Sequence, residues 1–451
     1  MKKHMPVVYA FAAIFSTAFA TFVAQASVLM VGKTDKSPMS YKCGEEIKFE
    51  LRLVNGKDLP AGAKMRWRLS ADDGQRREGN AELPADKPFK IETKMAKPGF
   101  VRLEAVVVGE DGKDYLQDFA ENELTPDGKR PMNQWEKGER RVFFDGGAAV
   151  EPEKLKSMPE PKDFDRFWAK QLARLGKVPM DVRKVETKSC TPDVKIYIVE
   201  IACAGKRPVT GELSIPTKPG KYPALLEVDG YGVYTPDPTH ERGAIWRPAD
   251  KIILHINAHG FNMPEFGADA AYYEGLKKEL EGYAFDKEEN SNPETAYWNG
   301  MALRVVRALQ FLEKLKTWNG KDLEVHGGSQ GGLQTMWAVA LDPKVSRATP
   351  YVTWCCDLAS REMQGRMGGW RPEWQEALGY YDPVNMAKRV RRNQRVDIER
   401  VGLGDYIAPP STVQVLYNNL KCPKSVKFVQ GSNHGFVPPE EFREECVLAG
   451  K

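Results

Sequence analysis

The first hundred residues beyond the N-terminus alternate. Glu46-Ile47-Lys48-Phe49-Glu50-Leu51-Arg52-Leu53 places apolar side chains at every second position, the period of a half-buried strand. Met65-Arg66-Trp67-Arg68-Leu69 and Val101-Arg102-Leu103-Glu104-Ala105-Val106 repeat the pattern. Asp72-Asp73-Gly74, Lys97-Pro98-Gly99 and Glu110-Asp111-Gly112 punctuate them as turns. Short strands at this spacing, with no helical period between them, predict a small all-β, immunoglobulin-like sandwich over residues 27–125. It carries no catalytic constellation and reads as a spacer or packing module, sugar binding being the lesser expectation. Residues 126–160 hold Pro126, Pro131, Pro152 and Pro159 with Gly128, Gly138, Gly146 and Gly147, a linker composition.

The period then changes. Phe164, Phe167, Trp168, Leu172 and Leu175 recur at three- and four-residue steps, an amphipathic helix for which Asp163 is the expected cap. Residues 195–202 and 209–215 read as antiparallel strands, and 224–228 and 252–256 as buried ones. A helix over 302–315, a strand over 323–326, a helix over 333–341 and strands near 348–353 and 426–429 follow. Strands alternating with helices predict a wound α/β sheet over residues 161–451.

The N-terminus changes the picture of destination. Lys2 and Lys3 precede an apolar run from Pro6 to Val23, and Ala24-Gln25-Ala26 is a small-x-small site. This predicts a cleavable signal peptide over 1–26, with the mature chain starting near Ser27, in preference to a retained membrane anchor, and hence a secreted or periplasmic protein. No other stretch is long and apolar enough to span a membrane.

Composition excludes more than it selects. The 66 basic and 62 acidic residues nearly cancel, and no basic stripe asks for nucleic acid or an anionic membrane as partner. Seven cysteines are too few and too scattered for a disulfide framework. A Cys190–Cys203 bridge across one strand is the only pairing the spacing suggests; buried apolar roles are expected for most of the others. No HExxH or clustered His/Asp motif is present, so neither metal nor cofactor is expected.

Gly327-Gly328-Ser329-Gln330-Gly331-Gly332 stands between a strand-like and a helix-like segment. A nucleophile elbow needs this context, because its turn is strained and neighbouring backbone comes close. The α/β-hydrolase order is Ser, then Asp or Glu, then His. Of His4, His240, His255, His259, His326 and His434, only His434 follows Ser329, so it is the candidate base. Asp405 is the candidate acid, since Gly402-Leu403-Gly404-Asp405 ends a strand-like run; Asp397 and Glu399 lie within that strand, and Asp357 and Asp382 precede other elements. The oxyanion would take the N–H of Gln330 and one from Asp229-Gly230-Tyr231-Gly232, with Tyr231 the candidate donor. Trp354, Trp370 and Trp374 are candidate sugar-stacking side chains. His259 is a further substrate-binding candidate, although a structural role at a strand end is the readier expectation.

With these segments in place, the chain resembles the acetyl xylan esterase and cephalosporin-C deacetylase family. The resemblance is carried by Asp163-Phe164-Asp165-Arg166-Phe167-Trp168, Asp229-Gly230-Tyr231-Gly232, Gly327 to Gly332, Gly402-Leu403-Gly404-Asp405, Pro409-Pro410-Ser411-Thr412 and Tyr417-Asn418-Asn419-Leu420, and covers roughly residues 160–440. It implies an α/β-hydrolase that deacetylates small O-acetyl esters, with the triad on Ser329, Asp405 and His434, the oxyanion donors on Tyr231 and Gln330, and a homo-oligomeric assembly. Asn257-Ala258-His259-Gly260-Phe261 stands where the family commonly has Arg-Gly-Gln, and Gly435 follows His434 where the family usually has Glu. An acetylated carbohydrate of xylan type is the expected substrate. The rivals are a feruloyl-type or other short-chain ester, and a catalytically silent carbohydrate-binding protein, against which the intact Ser-Asp-His order argues.

Overall fold

The computed structural model describes residues 28–83, 87–118, 139–237 and 243–450. The expected signal peptide lies outside them. No helix among the described residues is long and apolar enough to cross a membrane.

The N-terminal third is built from strands β1 (Leu29–Thr34), β2 (Glu46–Val54), β3 (Lys64–Ala71), β4 (Arg76–Glu82), β5 (Phe89–Lys94), β6 (Gly99–Val108), β7 (Leu116–Asp118), β8 (Glu139–Arg141) and β9 (Phe143–Val150). They form a three-stranded sheet ordered β1-β2-β5, a four-stranded sheet ordered β4-β3-β6-β9, and the pair β7-β8. The alternation explains the packing. Ile47, Phe49 and Leu51 of one sheet share a single core with Met65, Leu69, Val101, Leu103 and Ala105 of the other, and the residues between them face outward.

One boundary moves. Part of the segment expected as a linker is β9, which pairs antiparallel with β6 from Gly99↔Val150 to Val106↔Phe143. Phe144, Ala148 and Val150 are buried in the same core, so the all-β unit runs through Val150. Gly147 serves close approach and not flexibility, since a Cβ there would lie 2.7 Å from the Leu403 carbonyl oxygen.

The second unit is built on one ten-stranded sheet. Its strands are β10 (Val182–Thr187), β11 (Val194–Ile201), β12 (Val209–Pro216), β13 (Tyr222–Val228), β14 (Ile252–Ile256), β15 (Trp318–Gly328), β16 (Arg347–Tyr351), β17 (Arg395–Gly402), β18 (Lys424–Val429) and β19 (Glu445–Gly450). The order is β10-β11-β12-β14-β13-β15-β16-β17-β18-β19. From β14 to β18 neighbours are parallel, and the strands at either end are antiparallel. Its helices are α1 (Phe164–Gly176), α2 (Ala270–Glu279), α3 (Tyr297–Lys314), α4 (Gln330–Leu341), α5 (Ser360–Gln364), α6 (Pro383–Ala387) and α7 (Pro410–Asn419). The parallel strands read as continuous apolar runs because both faces are covered, and Leu226, Leu254 and Val325 are fully buried.

Two local expectations change. Asp163 precedes α1 but makes no side-chain cap; its carboxylate accepts from the Tyr380 hydroxyl and from Arg166 instead. Cys190 and Cys203 are not bridged. Cys203 packs beside Leu175, Ala204, Leu303 and Val306, while Cys190 is exposed with its N–H on the Ile245 carbonyl.

The two units are joined by more than the chain. Phe100 of β6 and Ala149 of β9 point out of their own sheet and into the core of the second unit.

Candidate active site

Strand β15 lies at the centre of the sheet and runs directly into Ser329, the residue before α4. Ser329 has φ 56 and ψ −116, a conformation that costs a serine about 1–3 kcal/mol. Neighbouring bonds hold it there. Its N–H donates to the Tyr351 carbonyl (3.0 Å), and its carbonyl accepts from the N–H of Trp354 (3.1 Å) and of Leu333 (3.2 Å). The turn also needs glycine at 331, where a Cβ would come within 2.5 Å of the Val228 carbonyl oxygen.

The loop after β18 delivers His434. Its Nε2 lies 2.9 Å from Ser329 Oγ, and its Nδ1 lies 2.8 Å from Asp405 Oδ2. Asp405, 1% exposed, also accepts from the N–H groups of Ile407 and Ala408, both at 2.8 Å. These bonds fix the carboxylate with one oxygen free for the imidazole. The His434 loop closes on itself, since Asn433 Oδ1 accepts from the N–H of Gly435 and of Phe436. Arg400, which has φ 51 at an irregularity of β17, donates to the His434 carbonyl (3.2 Å).

Facing the serine is the loop that follows β13. A Cβ on Gly230 would stand 4.0 Å from that of Ser329. All four carbonyls of this loop accept from a side chain: Asp229 from Gln334 Nε2 (3.0 Å), Gly230 from Gln330 Nε2 (3.3 Å), Tyr231 from the Tyr234 hydroxyl (2.7 Å) and Gly232 from His259 (3.0 Å). With the carbonyls held, the peptide planes are held too. Gln330 is the first residue of α4, so its N–H has no intrahelical acceptor.

Expected substrate contacts divide by burial. His259 is 1% exposed and is no substrate contact. Because a carbonyl can only accept, its Nε2 carries the proton to Gly232 and its Nδ1 accepts from the Tyr297 hydroxyl at 2.8 Å. Burial pushes its pKa down to about 4. Trp354 is wholly buried and donates to the Trp370 carbonyl, so it supports the wall without forming its surface. Trp370 is that surface: 44% exposed, it stacks on Trp354 (5.0 Å between centroids) and meets Tyr231 edge-on (4.6 Å). Trp374 is half-buried against the core, beside Gly379.

Two groups have roles that the sequence does not signal. Tyr283 stacks on Tyr231 (4.3 Å), and its hydroxyl accepts from the Gly232 N–H (3.0 Å). Asp382 accepts from the N–H of Asp357 and of Leu358 and so clamps the loop that carries Trp354, in which Val352, Cys355 and Asp357 all have positive φ. Burial, with Asp357 nearby, raises the Asp382 carboxyl to about 7. No group of three or more His, Cys, Asp or Glu side chains among the described residues could hold a metal ion.

The family pattern of acetyl xylan esterases matches residues 153–364 and 372–447. The acetyl esterase Axe7A of Xylanibacter ruminicola is 30% identical over 292 residues, which are 60% of this chain and 63% of that protein, so the match spans less than two thirds of the relative. Two solved structures are also similar. The acetyl xylan esterase from Paenibacillus sp. R4 has 22% identity, covers 64% of this chain and 94% of its own, and has a TM-score of 0.49. Acetyl xylan esterase 1 from Thermoanaerobacterium sp. JW/SL YS485 has 22% identity, 65% and 94% coverage and the same TM-score of 0.49. The family match takes in the elbow, the candidate acid and the candidate base, and begins where the all-β unit ends. The chain belongs to the acetyl xylan esterase family.

Proposed function

We propose that this protein is a serine esterase that removes O-acetyl groups from acetylated carbohydrate of the xylan or xylo-oligosaccharide type. The observation that carries the reading is the unbroken series Ser329 Oγ, His434 Nε2, His434 Nδ1 and Asp405 Oδ2, with both links at hydrogen-bond length.

In this mechanism Ser329 Oγ attacks the acetyl carbonyl while His434 Nε2 takes its proton. Asp405 keeps the other imidazole nitrogen protonated and stabilises the cation that forms. Its own two backbone N–H bonds keep it in place during that change. The tetrahedral oxyanion is held by the N–H of Gln330 at the positive end of α4 and by that of Tyr231. Each such donor is typically worth about 3 kcal/mol. His434 then returns the proton to the sugar oxygen as the acetyl-enzyme forms, and a water activated by the same imidazole releases acetate. Tyr231, backed by Tyr283 and Trp354, crowds the acyl side, which favours a two-carbon acyl group over longer ones.

The test is hydrolysis of aryl esters from acetate to octanoate by the protein and by Ser329→Ala. Steep preference for acetate, lost in the variant, is expected. Activity that survives the substitution would remove the triad reading, and a preference for long or aromatic acyl groups would remove the acetyl reading.

A further inference from the structure

The outer face of the four-stranded sheet is only half covered. One half meets the second unit: Phe100 is buried there, Asp72 Oδ1 accepts from the Met367 N–H (2.8 Å) and Arg102 donates to the Gly404 carbonyl (2.9 Å). The other half lines an open groove. The strand register puts two rows of side chains across it. Glu78, Arg68, Glu104 and Asp145 are successive cross-strand neighbours on β4, β3, β6 and β9, and Asn80, Arg66, Val106 and Phe143 form the next row on the same face.

The first row leads to the catalytic loop. Asp145 accepts from Asn433 Nδ2 at 3.4 Å, and Asn433 is both a wall of the groove and the neighbour of His434. Phe143, at the end of the second row, meets Phe436 of the same loop edge-on at 5.1 Å.

We propose that this groove binds the sugar chain of the substrate, as a neutral oligosaccharide whose acetylated unit lies at Ser329. The inference rests on the carbohydrate reading of the preceding section and gives the all-β unit a role in it. The chemistry of the lining selects the ligand class. The two rows present both donors (Arg68, Arg66, Asn80) and acceptors (Glu78, Glu104, Asn80), and Arg66 is matched by Asp114 (2.6 Å) and Arg68 by Glu78 (3.7 Å), so the surface offers many polar contacts and little net charge. That suits hydroxyl groups, which donate and accept at once, better than a polyanion or polycation. Neighbouring strands are about 4.8 Å apart, comparable with one sugar unit of an extended chain, so a chain lying across the strands meets a new side chain at each unit. Val106 and Phe143 supply an apolar floor for ring faces.

The test is calorimetric titration of the whole mature chain with xylohexaose and with cellohexaose, both unacetylated. Binding of at least one is expected. It should weaken about tenfold or more in Arg68→Ala/Asn80→Ala, whose side chains are exposed, and stay unchanged in Lys90→Ala on the other sheet. Thermal unfolding establishes that each variant is folded; should the double variant not fold, Glu104→Gln, which keeps the volume, carries the same expectation. No binding of either oligomer, undiminished binding in the groove variants, or binding of polygalacturonate in their place would overturn the proposal. Because binding is read without turnover, an active esterase that ignores both oligomers removes the groove alone. An inactive protein that binds them through these residues removes the catalytic reading alone.

Discussion

Arg102 of β6 donates to the carbonyl of Gly404, the residue that precedes Asp405, at 2.9 Å. The same guanidinium makes two 2.7 Å bonds to Asp145 of β9, and both side chains are nearly buried. Gly404 permits the approach, since a Cβ there would lie 2.1 Å from the Asp145 carbonyl oxygen. The all-β unit therefore braces the loop that carries the proposed triad acid.

Arg102→Ala is expected to act on both stability and turnover. It leaves Asp145 buried without its cation, a loss of about 3–5 kcal/mol for pairs of this kind. It also frees the Gly404 carbonyl, so kcat on an aryl acetate should fall along with the urea midpoint. A variant as stable and active as the parent would show that the brace is not needed.

Asp405→Asn tests the acid's role separately from its shape. Asn can still accept from the N–H groups of Ile407 and Ala408, yet it favours the wrong imidazole tautomer at His434. A fall in kcat of about 10⁴, with the fold intact by circular dichroism, is expected. Retention of more than a tenth of the activity would point to another carboxylate.

His259 predicts a pH dependence. Its folded-state pKa, pushed down by burial to about 4, lies below its ordinary value of 6.5. Between those values the unfolded chain binds a proton there that the folded chain refuses. The contribution is complete above pH 6.5 and is lost as pH falls toward 4, on the order of 3 kcal/mol in all. Asp382, raised to about 7, acts in the opposite direction, its preference for the protonated form favouring the fold at low pH. The comparison must therefore be made between proteins. His259→Gln, which can keep the donor to Gly232, should lose less stability than the parent between pH 7 and 4.5. Equal losses in thermal unfolding would show that His259 is not the responsible group.

Trp370 and Trp374, alike in the sequence, are expected to separate. Trp370→Ala removes an exposed ring beside Tyr231 and should raise KM for acetylated xylo-oligosaccharide more than for aryl acetate. Trp374→Ala removes a half-buried ring from the core edge and should lower the unfolding temperature, treating both substrates alike. Steady-state kinetics on the two substrates decide it.

Much of the candidate site was legible because its logic is local. The elbow is written in consecutive residues, a strand, four glycines around Ser329 and a helix, and the torsion at Ser329 is a property of that short stretch. Chain order then singled out His434, the only later histidine, and Asp405, at the end of its strand. The parallel strands announced themselves because burial on both faces demands unbroken apolar runs.

What the sequence did not settle is what covers each surface. β10 carries no apolar pattern because its side chains are almost all exposed, and β19 carries little because an edge strand is held by backbone bonds to β18. β9 was masked by glycines whose purpose is contact with another segment. Trp354 and Trp370 offer the same chemistry in one dimension, and only packing makes one an exposed surface and buries the other. By itself the sequence determined the strand-to-helix elbow with its strained turn and the identity of the candidate reactive side chains, since each depends on neighbours in the chain or on chain order. The tertiary structure alone decided which face of the β4-β3-β6-β9 sheet is docked and which is open, because alternation gives a strand two faces without saying what will lie against either.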